Sequence, residues 1–218
     1  MHSENPSGAD NQQGSLGTAP MRYPMTPQRL HAELLAVGAN GLFAYLQGSL
    51  RDGTRSTLHK THRFCQSNRQ WLLLLKAAFS LLGHRSWLYR EGRERQIWIL
   101  ETTAPFLDIG FDAKPLLGSP EALLFVRGYF DADGGMPKNH EARLYFQLCQ
   151  KNFESLATAV ELLESWDILC GRIHNPSVKV DPDYWRVFVR KQSHQSFIRM
   201  VSSWHPEKRQ RMDNRMKI

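Results

Sequence analysis

The stretch "FVRGYFDADGGMPK", Phe125–Lys138, reads as an apolar, helix-like run that ends in two aspartates. The C-terminus of a helix already carries a partial negative charge, so an acid there costs about 0.3–1 kcal/mol unless a cation or a donor offsets it. Gly134 supplies a stop for the helix, as glycine commonly does at this position. The stretch therefore predicts a helix whose terminal acids, Asp131 and Asp133, have a cationic partner.

An internal repeat places this helix in the second of two similar halves. The segment "FCQSNRQWLLLLKAAFSLLG" at 64–83 parallels "LCQKNFESLATAVELLESW" at 148–166, and both contain the pattern Cys-Gln-x-Asn. Upstream of each lies a helix-like run with a glycine and then an acid, and alternating, strand-like segments flank the amphipathic run. Such a repeat predicts an α+β domain with pseudo-two-fold symmetry, in which each half runs helix, two strands, helix, two strands.

Gly48 and Gly128 lie in the middle of the two upstream helices, where glycine costs about 1 kcal/mol relative to alanine. Crossing of the two helices at the pseudo-two-fold axis explains both glycines, because the missing side chains let the backbones come close. The crossing also brings the acids that follow, Asp52 and Asp133, side by side. Two such carboxylates suit Mg²⁺, which takes carboxylate, phosphate and water oxygens and assists phosphodiester displacement.

Alternation along the strands predicts a polar face on each sheet. Apolar and polar residues alternate in "EARLYFQLC" at 141–149 and in "YWRVFVRK" at 184–191. A face of arginine, threonine, glutamine and tyrosine suits a nucleic-acid groove, because the major groove of DNA admits a two-stranded ribbon. An ordinary solvated face is the alternative, and a hairpin turn within 55–63 would break the alternation there. The residues expected to contact DNA are Arg55, Thr57, His59, Arg63, Arg143, Tyr145, Gln147, Arg186 and Arg190.

Composition supports an intracellular, nucleic-acid-binding protein. The 218 residues are 41% hydrophobic and 11% aromatic, which is enough for a core, and 28 Lys+Arg against 21 Asp+Glu give a net charge of +7, which favours a polyanionic partner. Cys65, Cys149 and Cys170 form no CxxC pair, which argues against a zinc or redox motif and fits a reducing cytoplasm or organelle matrix. No stretch reaches the ~18 apolar residues of a membrane helix.

The segment "VRGYFDADG" at 126–134 resembles the LAGLIDADG signature of homing endonucleases. The matching residues are Gly128, Asp131, Ala132, Asp133 and Gly134. The resemblance extends from about Leu34 to the C-terminus, and "WHPEKRQRM" at 204–212 is similar to the end of many family members. It implies two αββαββα repeats whose antiparallel sheets form a DNA-binding saddle. It also implies a monomeric, intron-encoded enzyme that cleaves long asymmetric sites in double-stranded DNA with Mg²⁺.

The resemblance also implies roles for single residues. The family's metal-binding acid is the second aspartate of the motif, here Asp133. The first motif, "LQGSLRDGT" at 46–54, has Arg51 where an aspartate is usual and is one residue short, so Asp52 must supply the partner acid. Basic residues polarise the scissile phosphate in the family, and Lys138 and Lys191 are the catalytic candidates for that role.

Three segments are expected along the chain. Residues 1–23 form a disordered leader without the apolar core of a signal peptide. Residues 24–112 form the first repeat, and 113–218 form the second repeat with a basic C-terminal tail. That tail is interpreted either as a clamp on the DNA backbone or as a frayed end.

Two other functional classes stay open beside the endonuclease. A catalytically decayed protein with the same fold would act as an RNA-splicing maturase, with intron RNA as its partner, or as a DNA-binding regulator. A structural protein that binds another protein on the saddle is the third class, and both the net positive charge and the paired acids argue against it. Divalent-dependent cutting separates the first class from the second, and steep salt dependence of binding separates both from the third.

Overall fold

The computed structural model describes residues 26–92 and 94–216. The expected leader, residues 1–23, lies outside the described residues. Helix α1 (Pro27–Ala36) begins after Thr26, whose hydroxyl accepts a hydrogen bond of 3.2 Å from the backbone N–H of Arg29. Threonine is a favourable N-cap because its side chain satisfies an N–H that has no partner within the helix. Helix α1 leads directly into the first repeat and packs on its first helix.

The first repeat has the predicted order of elements. Its elements are α2 (Gly38–Ser49), β1 (Thr54–Ser56), β2 (Thr61–Gln66), α3 (Arg69–Leu81), β3 (Ser86–Arg90) and β4 (Trp98–Thr102). A single 3-10 turn, Leu50–Asp52, ends α2. The four strands pair antiparallel in the order β1-β2-β4-β3, so each helix is followed by a pair of strands in one sheet.

In the second repeat, one strand follows each helix, and isolated bridges stand where the two outer strands of the prediction were expected. Its elements are α4 (Pro120–Asp133), β5 (Gln147–Gln150), α5 (Phe153–Glu164) and β6 (Trp185–Phe188). Strands β5 and β6 pair antiparallel, and isolated bridges from Gly135 to Gln147 and from His174 to Arg186 extend the sheet on both sides. Prolines two residues beyond each bridge lack the N–H that a longer ladder needs. The predicted α+β fold with two antiparallel repeats is confirmed.

The chain after β6 is helical and packed. It contains α6 (His194–Ser196), a π-helical turn (Phe197–Val201) and α7 (Pro206–Arg215). Met212 of α7 is completely buried, and the side chain of Arg209 is only 12% exposed beside Glu33 of α1. Over 206–215, the interpretation of the basic tail as a frayed end is therefore wrong.

The repeated Cys-Gln-x-Asn pattern marks the turn from a strand into the second helix of each repeat. Asn68 Oδ1 accepts a hydrogen bond of 3.0 Å from Trp71 N at the start of α3. Asn152 Oδ1 accepts one of 2.8 Å from Ser155 N at the start of α5. Asparagine is among the strongest N-cap residues, so the pattern recurs because the same cap is needed twice.

Helices α2 and α4 cross with their backbones in direct contact. A β-carbon on Gly48 would lie 2.0 Å from the carbonyl oxygen of Phe125, and one on Gly128 would lie 2.0 Å from that of Tyr45. Both neighbours are backbone atoms, which cannot swing aside. The two glycines therefore allow the close crossing, and the crossing brings the C-terminal ends of α2 and α4 together.

Replacing Gly128 with alanine is expected to destabilise the protein by about 3 kcal/mol or more, because the two helices must separate to admit the methyl group. Urea unfolding measures the change. Gly110→Ala is the matched control, since the atom nearest to its β-carbon lies 3.5 Å away on a side chain. Equal stability of the two variants would show that the helices do not cross as closely as described.

One hydrophobic core runs through both repeats. Helices α3 and α5 each bury one face against it, and α2 and α4 lie at its centre. Its largest fully buried side chains include Trp71, Tyr45, Tyr129, Phe64 and Phe125. Among the described residues, no helix has the length and apolar character needed to cross a membrane. The core thus fixes the central helix pair from both sides and leaves the opposite sheet faces outward.

Candidate active site and nucleic-acid interface

Two acids meet where the central helices end. Asp133 is the last residue of α4, and Asp52 is the last residue of the turn that ends α2. Burial and the charge of Asp52 raise the pKa of Asp133 to about 6. Partial burial also raises the pKa of Asp52, although a hydrogen bond of 2.7 Å from Gln66 Nε2 to Asp52 Oδ2 opposes the shift. Two carboxylates that resist ionising together mark a place where a cation is stabilised.

The raised pKa of Asp133 predicts a pH-dependent stability difference between the natural protein and Asp133→Asn. A carboxyl whose pKa is higher in the folded state, about 6 against 3.8, binds more protons when folded, so its contribution to stability falls as pH rises between those values. Asparagine does not ionise, so its contribution to stability does not fall as pH rises. We expect the unfolding free energy of Asp133→Asn to exceed that of the natural protein by about 1–2 kcal/mol at pH 7, after allowance for solvent screening.

Urea unfolding at pH 4 and pH 7 measures this difference. Taking the difference between the two proteins is necessary because His205, whose pKa burial lowers to about 4, contributes stability of the opposite sign over the same range. A difference that does not change between pH 4 and pH 7 would contradict the raised pKa of Asp133.

The first aspartate of the motif, Asp131, faces away from this pair into a buried polar network. It is 1% exposed and accepts hydrogen bonds from Tyr45 Oη at 2.8 Å, Trp204 N at 2.8 Å and His205 N at 3.1 Å, as well as from Ser203 Oγ. Burial raises its pKa, and these donors oppose the shift. Asp131 therefore binds the segment before α7 to both central helices.

Arg51 does the corresponding work in the first repeat. Its guanidinium donates hydrogen bonds of 3.1 Å and 2.6 Å to the carbonyl oxygens of Ile109 and Phe111, in the segment after β4, and lies 5.4 Å from the ring centre of Phe125. Asp131 holds backbone N–H groups, and Arg51 holds backbone carbonyls. Arginine instead of the usual aspartate at position 51 therefore changes a packing contact. It does not affect the pair of acids, because Asp52 and Asp133 are both present.

Lys208 of α7 is the cation at the end of α4. Its ammonium donates hydrogen bonds to the carbonyl oxygens of Phe130 at 2.5 Å, Asp131 at 2.9 Å and Gly134 at 2.7 Å. Burial lowers its pKa to about 8, while the charges of Asp131, Asp133 and Asp52 act in the opposite direction. Sequence analysis missed this residue, because in the sequence it is one of several basic residues in "KRQR". The interpretation of this segment as a DNA clamp is wrong for Lys208, which points inward.

A groove of about 480 Å³ crosses the outward face of β5 and β6. The guanidinium of Arg186 lies 4.9 Å from the ring centre of Phe188, and the ring of Tyr145 packs edge-on against Phe188 at 5.8 Å. Five of the predicted site residues line the groove, namely Arg143, Tyr145, Gln147, Arg186 and Lys191. The groove therefore presents hydrogen-bond donors held against aromatic rings.

Thr57 and His59 differ from their predicted placement on a strand. Both lie in the hairpin turn between β1 and β2. The turn is closed by a hydrogen bond of 3.2 Å from His59 N to Ser56 Oγ, and Lys60 adopts the left-handed conformation with φ of 53°. The chain must reverse here for β1 and β2 to pair antiparallel, so strand alternation cannot continue through the turn.

The three remaining residues predicted to contact nucleic acid lie in different places. Arg55 is exposed on β1, and Arg63 lies half-buried on β2. Arg190 lies just beyond β6, where its Nε donates a hydrogen bond of 2.8 Å to the carbonyl oxygen of Cys170. Arg190 is not among the residues that line the groove, and its hydrogen bond to Cys170 holds the backbone instead.

Neither a protein-family model nor a curated protein sequence matches the chain. Solved structures do match. I-DmoI in complex with DNA and Mn superposes with a TM-score of 0.57 at 14% identity over 76% of this chain and 98% of that chain. I-DmoI in complex with DNA and Ca has a TM-score of 0.57 at 13% identity, and the match covers 81% of this chain and 98% of that chain. The N-terminal LAGLIDADG domain of DUF199/WhiA has a TM-score of 0.60 at 13% identity, and the match covers 84% of this chain and 93% of that chain. The chain has the LAGLIDADG fold.

The acids at the ends of the two LAGLIDADG helices fit a hard divalent cation. Mg²⁺ is usually held by one or two carboxylates together with waters and substrate phosphates, and Asp52 and Asp133 supply two carboxylates. Across residues 26–92 and 94–216, no three histidine, cysteine, aspartate or glutamate side chains gather as a metal site. An ion held by Asp52 and Asp133 would therefore complete its coordination with water and phosphate oxygens.

The two candidate lysines occupy different parts of the LAGLIDADG fold. Lys138 is exposed in the bend after α4, and Lys191 begins the 3-10 turn after β6 and lines the groove. Lys191 thus lies on the surface predicted to hold nucleic acid. Lys138 lies five residues after Asp133, beyond the end of α4. A role for either lysine at a scissile phosphate stays a prediction.

Proposed function

We propose that the protein is a sequence-specific DNA endonuclease that hydrolyses phosphodiester bonds with Mg²⁺ held by Asp52 and Asp133. The paired carboxylates at the crossing of α2 and α4 carry the proposal, because burial and the charge of Asp52 raise the pKa of Asp133, and a bound divalent cation would favour its ionised form. The arginine-lined groove on the neighbouring sheet supports a nucleic-acid substrate, and structures with the same fold contain DNA.

The residues of the chain have separate tasks in this reaction. Asp133 and Asp52 would hold the ion, and Gln66 orients the Asp52 carboxylate through the hydrogen bond of 2.7 Å. When bound, Mg²⁺ supplies charge neutralisation at the phosphate and activation of a water molecule. Arg143 and Arg186 in the groove bind the DNA so that one phosphate reaches the acids. The rigid crossing of α2 and α4 keeps the carboxylates in place during the reaction.

Selection for cleavage tests the proposal. The protein is incubated with a randomised double-stranded DNA library in Mg²⁺ and, separately, in Ca²⁺, beside the variants Asp52→Asn and Asp133→Asn. Double-strand cuts at a long asymmetric site that need Mg²⁺ and both acids are expected. Binding without cutting under every condition would overturn the endonuclease proposal. Cutting of one strand only in Asp52→Asn would assign each acid to one strand.

A DNA-binding regulator or an RNA-splicing maturase is the second candidate. Lys208 favours it, because an ammonium already lies near both acids and partly offsets their charge. Tighter binding of intron RNA than of DNA would support the maturase, and tight DNA binding without cutting would support the regulator. In each case we propose that the protein is intracellular. We also propose that it is a monomer, since one chain supplies both motif helices.

A further inference from the structure

Residues 138–143, between α4 and β5, connect the candidate metal site to the groove of the second repeat. Asp133 ends α4, and Arg143 lines the groove before β5 begins. Met136 and Pro137 are buried, whereas every residue from 138 to 143 is exposed. This exposed segment is called the 138–143 turn below.

Two local hydrogen bonds shape the 138–143 turn. Asn139 Oδ1 accepts a bond of 2.9 Å from Glu141 N, and Asn139 O accepts one of 3.3 Å from Ala142 N. Asparagine commonly bonds in this way to backbone groups two residues on, which is why it favours turns. Both bonds join residues within the turn, so they fix its curvature and not its direction relative to the groove.

Arg215 of α7 holds the 138–143 turn from outside. Its Nη2 donates hydrogen bonds of 2.8 Å to the carbonyl oxygens of both Asn139 and Ala142. Hydrogen bonds with a charged donor are about twice as strong as neutral ones. Helix α7 is itself anchored, since Met212 is completely buried and Lys208 bonds to the end of α4. Through Arg215, the turn is therefore held on the same support as the end of α4.

The 138–143 turn presents positive charge beside the groove. Lys138 and Arg143 stand at its two ends, with His140 and the single acid Glu141 between them. Basic side chains that contact phosphates fix the position of a protein on DNA without reading the sequence. Nη2 of Arg215 serves two carbonyl oxygens, so this group holds the turn rather than a phosphate.

We infer that Arg215 is a positioning residue for nucleic-acid binding, because its guanidinium holds the 138–143 turn so that Lys138 and Arg143 reach two backbone phosphates together. Duplex DNA as the ligand rests on the proposed function, but this role needs neither the metal nor cleavage. A turn that is fixed in advance loses less conformational entropy when DNA binds, which strengthens binding without a further contact. Helix α7 thereby links the surface that binds DNA to the end of α4.

Fluorescence anisotropy with a labelled blunt duplex in EDTA, over a series of salt concentrations, tests the inference. Arg215→Met is expected to weaken binding by about 10-fold at low salt and to lower the slope of log affinity against log salt by about 1–2, because phosphate contacts are lost. Arg211→Met is the matched control. It removes the same charge from the outer side of α7, where Arg211 pairs with Glu207, and is expected to change affinity less than about twofold.

A double-mutant cycle separates positioning from direct contact. In a Lys138→Ala/Arg143→Ala variant, the further change Arg215→Met is expected to weaken binding less than about twofold, since a residue that acts through its partners adds nothing once they are gone. Hydrogen exchange gives a second readout. The amides of Glu141 and Ala142 are expected to exchange faster in Arg215→Met while those of α4 stay protected, which separates a loosened turn from a loss of folding.

Three results would overturn the inference. They are equal effects of Arg215→Met and Arg211→Met, the same loss from Arg215→Met with and without Lys138 and Arg143, and no binding of the duplex by the natural protein. The last result would remove DNA binding from the proposed function as well, whereas the first two leave it standing. Cleavage plays no part in the assay, so an absence of cutting would overturn the endonuclease proposal alone.

Discussion

Replacing Asp133 with asparagine is expected to reduce Mg²⁺-dependent cleavage by more than about 100-fold while leaving DNA binding within about threefold of the natural protein. Even residues that only support a metal ligand are worth about 10- to 100-fold in metal affinity or activity, and Asp133 is proposed as a ligand itself. Binding persists because the groove residues are untouched and one negative charge near the phosphates is removed. Cleavage of a selected site and anisotropy with the same site in Ca²⁺ measure the two quantities.

Asp131→Asn is the control for this prediction, because the same substitution two residues earlier changes packing. Asp131 accepts hydrogen bonds from four donors, and an amide group would bring N–H groups toward some of them. We expect Asp131→Asn to be less stable than the natural protein at pH 7 and Asp133→Asn to be more stable. If Asp133→Asn instead cut DNA at the natural rate, Asp133 would not be a metal ligand and the endonuclease mechanism would fail.

Lys208→Met is expected to destabilise the protein by about 3–5 kcal/mol, the usual cost of removing one partner from a buried charged contact. The substitution removes the ammonium donor from three carbonyl oxygens at the end of α4, of which, among the described residues, only that of Phe130 keeps a second donor, the N–H of Gly134. It also leaves the nearby acids without the ammonium charge. Since a folded domain is stable by only about 5–15 kcal/mol, the urea midpoint should fall by a large fraction. Urea unfolding at pH 7 measures the change.

Arg211→Met on the same helix is the matched control. Arg211 pairs with Glu207 at 3.0 Å on the outside of α7, and an exposed pair of this kind contributes about 0–1 kcal/mol. A small effect of Arg211→Met beside a large effect of Lys208→Met would show that α7 is held from its inner side. Equal small effects would contradict the buried position of Lys208.

Local patterns predicted the architecture because each has a local physical cause. The repeated Cys-Gln-x-Asn predicted two similar halves, and the structure shows that the asparagine caps a helix in each. Mid-helix Gly48 and Gly128 predicted a close crossing, since glycine is unfavourable there without a neighbouring backbone. Alternation predicted the groove side chains of β5 and β6, but it could not place Thr57 or His59, because a turn obeys no two-residue period.

The sequence by itself determined the repeat, the helix crossing, the alternating faces and the two acids at the helix ends. Only the tertiary structure decided which partner each acid has. The helix ending that needs a cation receives one from Lys208, 77 residues beyond Asp131, and Asp131 itself receives backbone donors from the segment before α7. The physical reason is that capping, glycine cost and strand alternation act between neighbours in the chain, whereas the burial of a charge depends on which distant segment folds over it.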